Sequence, residues 1–226
     1  WIKSSAQRAL LSGARLEAAN LIGTDFSLAL LDYAILKGAS LDQVRLDKSN
    51  LEGATLLHAS LQNAHLRLTR IYDADLRHLD AQNSTFESVD CSGSRASNIN
   101  FKGSTLQNCT FVEMNLREAN FEQTNLTGTI FTRSDLSNAM LTGAIVDQAD
   151  FRGVQGLNKE DLLDLELRGA LINIEDATDR YGTFGAPQLR VAIVLFALGV
   201  GSILVTQALD GQQADLEALE AEAQEL

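Results

Sequence analysis

Reactive chemistry is what this 226-residue chain has least of: three histidines, two cysteines, two methionines, one tryptophan and one proline. The cysteines, Cys91 and Cys109, form no CxxC pair and have no metal-type spacing, which excludes a disulfide framework or a structural zinc site. Both fall on inward positions of the pattern described below and read as small core residues in a reducing compartment. Cations are also scarce, 18 Lys+Arg against 30 Asp+Glu for a net charge of −12, with no basic stripe. That excludes a nucleic-acid partner, whose phosphates need clustered Lys and Arg. There is no GxSxG elbow and no Ser–His–Asp set to recover. The chain opens at Trp1 without Met or a signal-peptide pattern, which reads as a processed or missing start.

What is present is a beat of five. From Leu11 to Phe151 every fifth residue belongs in a core, as in Leu11, Leu16, Leu21, Phe26 and Leu31, through 29 consecutive positions. Two residues before each stands a small or slim side chain, such as Ala14, Ala19, Thr24, Ala29, Ser104, Cys109 and Ala144. Neither the helical period of 3.6 nor the strand period of 2 can place both sets inside at this spacing. A fixed internal period signals a stacked solenoid whose units bury their apolar faces on one another.

The units read small–polar–Leu/Phe–x–x, as in Ala19-Asn20-Leu21, Ala74-Asp75-Leu76, Ala119-Asn120-Phe121 and Ala149-Asp150-Phe151. This resembles the pentapeptide-repeat family, written A(D/N)Lxx. The resemblance implies an all-β solenoid: a right-handed quadrilateral β-helix with four pentapeptides per coil. On that fold residues 1–155 make about seven coils, a rod of ~34 Å at the spacing of paired strands. With 20 residues per coil the central residues stack in four columns. Ala81, Cys91 and Ala96 then fall in one coil, just before Phe101 and Phe111, and predict a thin waist near residues 79–100. An open solenoid end needs a cap. Asn158 can N-cap a helix over 159–167, with Glu160 and Asp161 in its first turn and Leu162, Leu163, Leu165 and Leu167 available to cover the last coil.

Residues 156–188 read as this capping helix and an irregular linker carrying Gly182, Gly185 and Pro187. Residues 189–209 read as one hydrophobic helix. From Val191 to Thr206 there is no charge, and the apolar face includes Ile193, Leu195, Phe196, Leu198, Val200, Ile203, Leu204 and Val205. Extended to Ala208 it measures about 27 Å, close to the hydrocarbon thickness of about 30 Å, so the segment is expected to cross a lipid bilayer once. A self-filled rod has no groove that hides such a helix, and a helix–helix dimer is the remaining soluble option. Arg180 and Arg190 precede it, while the tail 210–226 holds six acidic residues and no Lys or Arg. The positive-inside rule then puts the repeats on the cytoplasmic or stromal side.

The other candidate residues read as surface or turn. His58, His65 and His78 point outward; His58 and His78 lie one coil apart, about 5 Å, without the further ligands a metal site needs. Asp25, Asp75, Asp135 and Asp150 occupy the second repeat position, where they are expected to bond local backbone rather than act as an acid–base pair. Gly23, Gly38, Gly53, Gly103, Gly128 and Gly143 recur at the last position, as turn residues and not a phosphate loop. Outward positions should be polar, yet Leu28, Leu30, Tyr33 and Ile35 crowd one side of an early coil, with Leu57 and Leu68 in later ones. Such clusters mark protein-interaction sites. Scattered surface residues, or packing on an N-terminal cap of Trp1, Ile2 and Leu10, are the alternatives.

No enzyme, cofactor or metal is expected. The leading expectation is a membrane-anchored scaffold docking on a larger membrane complex. The resemblance extends this to a cyanobacterial or plastid thylakoid and to photosystem subunits. The alternatives are a transport or signalling accessory, and a DNA-mimicking protector of gyrase. The last is disfavoured because residues 1–155 are nearly balanced, with 14 Lys+Arg against 17 Asp+Glu, and Arg15, Arg45, Arg67, Arg70, Arg77 and Arg95 interrupt any anionic stripe.

Overall fold

A computed structural model of the chain describes residues 2–173. These residues wind as stacked rungs of 20 residues, each carrying four bridging positions. Ser5 pairs in parallel with Asp25, Leu10 with Leu30, Arg15 with Ile35 and Asn20 with Ser40, and the same shift of 20 recurs as far as Asp135–Gln155. Each bridge uses two bonds of opposite sense, as in Leu11 N to Leu30 O (2.7 Å) and Leu30 N to Ala9 O (2.9 Å). Between bridges the chain turns a corner closed by bonds such as Ala14 N to Leu11 O (3.0 Å). The third residue of each turn takes a positive φ whether or not it is glycine, as at Leu28 (64°), Tyr33 (57°) and His58 (56°). On one face three corners open into short strands, β1 (His65–Arg67), β2 (Thr85–Glu87) and β3 (Thr105–Gln107), which form a parallel sheet in that order.

The five-residue beat sorts inside from outside as the pattern predicts. Leu31, Leu51, Phe86, Phe111 and Phe151 are all buried, together with Ala29, Ala54, Ala74 and Ala119 of the small column. Hydroxyls replace methyls in that column without leaving polar groups unpaired: Ser84 Oγ donates to Leu61 O (2.6 Å), Ser94 Oγ to Ile71 O (2.7 Å) and Ser104 Oγ to Ala81 O (2.7 Å).

Near residues 79–100 the waist predicted from Ala81, Cys91 and Ala96 is filled from the other column. Leu79, Val89 and Ile99 stand in columns that hold the slimmer Ala59, Thr69, Cys109 and Ala119 on other rungs, and all are buried. Close packing exchanges volume within a rung as well as between rungs, which a reading of the central positions alone misses. From Phe86 onward the core is a continuous ring stack. Phe101 meets Phe86, Phe111 and Phe121 at centroid distances of 5.3, 5.9 and 5.7 Å, and Phe131 stacks on Phe151 at 4.9 Å.

The rungs end at helix α1 (Lys159–Leu167), with Asn158 as N-cap and a reciprocal capping box to Asp161. Only Leu165 is buried; Leu162 and Leu163 are half-buried and Leu167 is 42% exposed. Leucines at 162, 163, 165 and 167 do not share one face of a 3.6-residue helix, so α1 covers less than its composition suggested. A second device completes the cap. After Gly169 the chain returns to the rung below, where Leu171 bridges Asp150 and Phe151 N donates to Leu171 O (2.8 Å). Ala170-Leu171-Ile172 is thus a resumed repeat and not the start of an irregular linker. The compact unit ends at Ile172.

Among the described residues no helix is long and apolar enough to cross a membrane. The expected membrane segment 189–209, most of the linker and the acidic tail 210–226 lie outside the described residues.

Candidate interaction surface

The four apolar residues singled out in the sequence follow one another along a single rung. Leu28 and Tyr33 sit at successive corners, with Leu30 on the side between them and Ile35 on the next side. Leu28 (43%), Leu30 (42%) and Tyr33 (61%) are exposed, and Ile35 is half-buried. Leu30 bridges the exposed Leu10 one rung earlier, and Leu68 is exposed two rungs after Leu28.

Tyr33 is more than an apolar intrusion. Its hydroxyl donates to Glu52 Oε1 at 3.2 Å, and the hydroxyl of Tyr72, one rung further, donates to Glu52 Oε2 at 2.6 Å. One carboxylate therefore ties tyrosines on both sides of its own rung. The ring of Tyr33 lies over Gly53, where an added Cβ would come within 2.6 Å of Cδ1 and Cε1. The Glu52 charge, then its hydrogen bond, push the Tyr33 hydroxyl pKa above its ordinary value, and Asp32 and Asp73 add to this. The hydrogen bond from Tyr72 to Glu52 raises Tyr72 in the same sense, with Arg70 opposing. The corner was legible in part: its column alternates Gly13, Tyr33, Gly53, Asp73, Gly93, leaving room at alternate rungs for a side chain to lie along the stack.

The acidic residues of the second repeat position bond local backbone, as their position suggests. Asp25 accepts from Ser27 N (2.9 Å), Asp135 from Ser137 N (3.0 Å) and Asp150 from Arg152 N (3.0 Å). Asp75 and Asp150 are also clamped by Arg77 and Arg152, at 2.7 and 2.6 Å. Those side-chain hydrogen bonds hold both carboxyls below the usual range against the opposing effect of burial. A depressed folded pKa contributes stability that is present above the unfolded value and is lost as pH falls through the folded one. Asp75→Asn/Asp150→Asn is therefore expected to be less stable than wild type at pH 7, with the gap closing below about pH 4. Urea denaturation at a series of pH values measures it, and a gap independent of pH would contradict the assignment.

His58 and His78 are exposed and stack at 4.7 Å with planes 16° apart. Among the described residues no group of three His, Cys, Asp or Glu is placed to hold a metal ion. Cys91 and Cys109 are free and buried. Burial raises both thiols, Cys109 to about 12, so neither supplies a thiolate nucleophile. A cleft of about 560 Å³ lies between the last rung and α1, lined by Met140, Leu141, Gly143, Leu157, Asp161 and Leu165. Arg168 beside it donates to Ala144 O (3.0 Å), a carbonyl to which no further rung presents an N–H, and pairs with Asp164 at 2.9 Å.

The chain resembles the crystal structure of HetL, a pentapeptide-repeat protein involved in heterocyst differentiation regulation in the cyanobacterium Nostoc sp. strain PCC 7120. The two share 23% identity with a TM-score of 0.52, over 69% of this chain and 79% of that one. Matches also occur to QnrB1, a plasmid-mediated fluoroquinolone resistance protein (18% identity, TM-score 0.41, 82% and 98% of the two chains). A further match is a pentapeptide-repeat protein of the Arabidopsis thaliana thylakoid lumen (21%, TM-score 0.15, 72% and 74%). At 23% identity the likeness to HetL concerns the fold alone. No curated protein matches the sequence. The family model for pentapeptide repeats matches eight copies over residues 9–47, 49–87, 86–123 and 119–154. The chain belongs to the pentapeptide-repeat family.

Proposed function

We infer that this protein is a non-enzymatic scaffold, anchored in a membrane by residues 189–209, that docks its repeat unit on a larger membrane complex. One observation carries the docking role: a unit filled by its own side chains exposes Leu28, Leu30 and Tyr33 along one rung, where the repeat calls for polar residues. The anchor rests on the uncharged run from Val191 to Thr206. A photosynthetic membrane and photosystem subunits are the partners this reading favours, with the repeats on the cytoplasmic or stromal side.

Purification from the native membrane in mild detergent tests the proposal. Wild-type chain is expected to remain with the membranes until detergent is added and then to co-migrate with a membrane complex. Leu30→Glu/Ile35→Glu should reduce the recovered complex about tenfold. Release of the chain without detergent rules out the anchor. Unchanged recovery with the double variant rules out this rung as the contact.

A further inference from the structure

The corner made by residues 32–33, 52–53 and 72–73 carries three carboxylates, Asp32, Glu52 and Asp73. Asp32, Glu52 and Asp73 make no ion pair among the described residues, as is also true of Asp42, Asp80, Asp90, Glu118 and Asp147, but here three such carboxylates share one corner with an exposed aromatic ring. Ser12 Oγ donates to Asp32 at 2.7 Å, a bond that leaves the charge in place. Within the two columns of this corner the first cations are Arg133 and Arg152, rungs away; Arg70 on the adjoining side is the nearest opposing charge on Tyr72.

A separate feature points to what answers this charge. The Tyr33 ring lies along the stack over Gly53, its hydroxyl is held by Glu52, and the side chain is still 61% exposed. The ring is thus positioned at two points, the Gly53 backbone and the Glu52 carboxylate, while most of the residue stays open to solvent. Beside it is a carboxylate fixed by two tyrosine hydroxyls. A flat aromatic face next to an oriented carboxylate suits a planar cation that stacks on one and hydrogen-bonds the other, which describes guanidinium better than ammonium. Leu30 lies two residues before Asp32 and Ile35 two after Tyr33, so apolar side chains flank the corner along the rung.

We propose that this corner is the recognition element of the docking surface and receives an arginine side chain flanked by apolar residues on an extended segment of the partner protein. The proposal rests on the scaffold reading above and adds the chemistry of its partner. The guanidinium stacks on Tyr33 and shares the Glu52 carboxylate, with Asp32 and Asp73 supplying the surrounding field, while Leu30 and Ile35 meet the flanking apolar groups.

The test titrates full-length protein in mild detergent with a short synthetic peptide holding one arginine between two leucines. A matching peptide carries citrulline, which keeps the shape and removes the charge. Binding is read from the ring NMR signals of Tyr33 and Tyr72. The arginine peptide is expected to bind at least about tenfold more tightly than the citrulline peptide. Glu52→Gln and Tyr33→Leu should each abolish that preference, while Glu118→Gln, an equal charge change on another corner, should retain it. Equal affinity for the two peptides overturns the proposal. So does a loss in Glu118→Gln as large as in Glu52→Gln, since net charge would then be responsible. If a membrane complex co-purifies with wild type and Glu52→Gln loses none of it, the corner assignment fails and the scaffold stands. If the peptide binds as expected and no complex co-purifies, the scaffold fails and the corner stands.

Discussion

Replacing Phe101 by alanine is expected to destabilise the repeat unit by about 3–5 kcal/mol, lowering the melting temperature by roughly 6–20 °C. The ring is fully buried and meets three others, Phe86, Phe111 and Phe121, on its own and both adjoining rungs. Its removal loses the transfer energy of the side chain and leaves a cavity that a narrow core closes poorly, because backbone bridges hold neighbouring rungs at a fixed spacing. In a stacked architecture each rung is stabilised by its neighbours, so a defect in the middle weakens the interfaces on both sides. Leu16→Ala is the comparison. Leu16 is only half-buried in the first rungs, and its loss should cost clearly less. Thermal and urea denaturation of both variants measure the difference. Equal, small effects would mean that the phenylalanine stack does not carry the stability assigned to it.

Gly156→Ala is expected to detach the C-terminal cap, at a cost of about 3 kcal/mol. Gly156 has φ of +86°, and a Cβ there would overlap Ser137 N, Cα and Oγ. The obstacle is backbone of the rung below and cannot rotate away. The segment leading to Asn158 must lift, and with it α1 and the returning segment whose Leu171 bridges Asp150. Hydrogen exchange should then accelerate over residues 157–172 while amides near Phe86 keep their protection. Uniform acceleration would show that the unit unfolds as a whole, and no change would show that the junction tolerates a side chain.

These two variants probe features of different legibility. Phe101 as a core residue follows from its place in the five-residue beat, and so does the interior position of Cys91 and Cys109. The bounds of α1 also follow, because Asn158 and Asp161 form a local capping box that depends on no distant residue. In the sequence Gly156 is only the first residue beyond the repeats of 1–155. That it meets Ser137 depends on how tightly the chain crosses the rung below it.

The same division runs through the candidate site. The sequence marked Leu28, Leu30, Tyr33 and Ile35 as departures from a polar surface, since each can be judged within its own repeat. It could not assign Tyr33 to Glu52, or Glu52 to Tyr72, because these pairs are 19 and 20 residues apart and are joined only by stacking. Leu79, Val89 and Ile99 filling the rung of Ala81, Cys91 and Ala96 is a contact of the same kind.

The amino-acid order by itself determined the period and the division of each repeat into inward and outward positions, because solvation and turn chemistry act residue by residue. Tertiary structure alone decided which outward residues share a corner, how core volume is traded across a rung, and that a resumed repeat at Ala170-Leu171-Ile172 closes the end with α1. Those outcomes depend on the superposition of residues one rung apart, and packing between rungs is settled only when the whole stack is assembled.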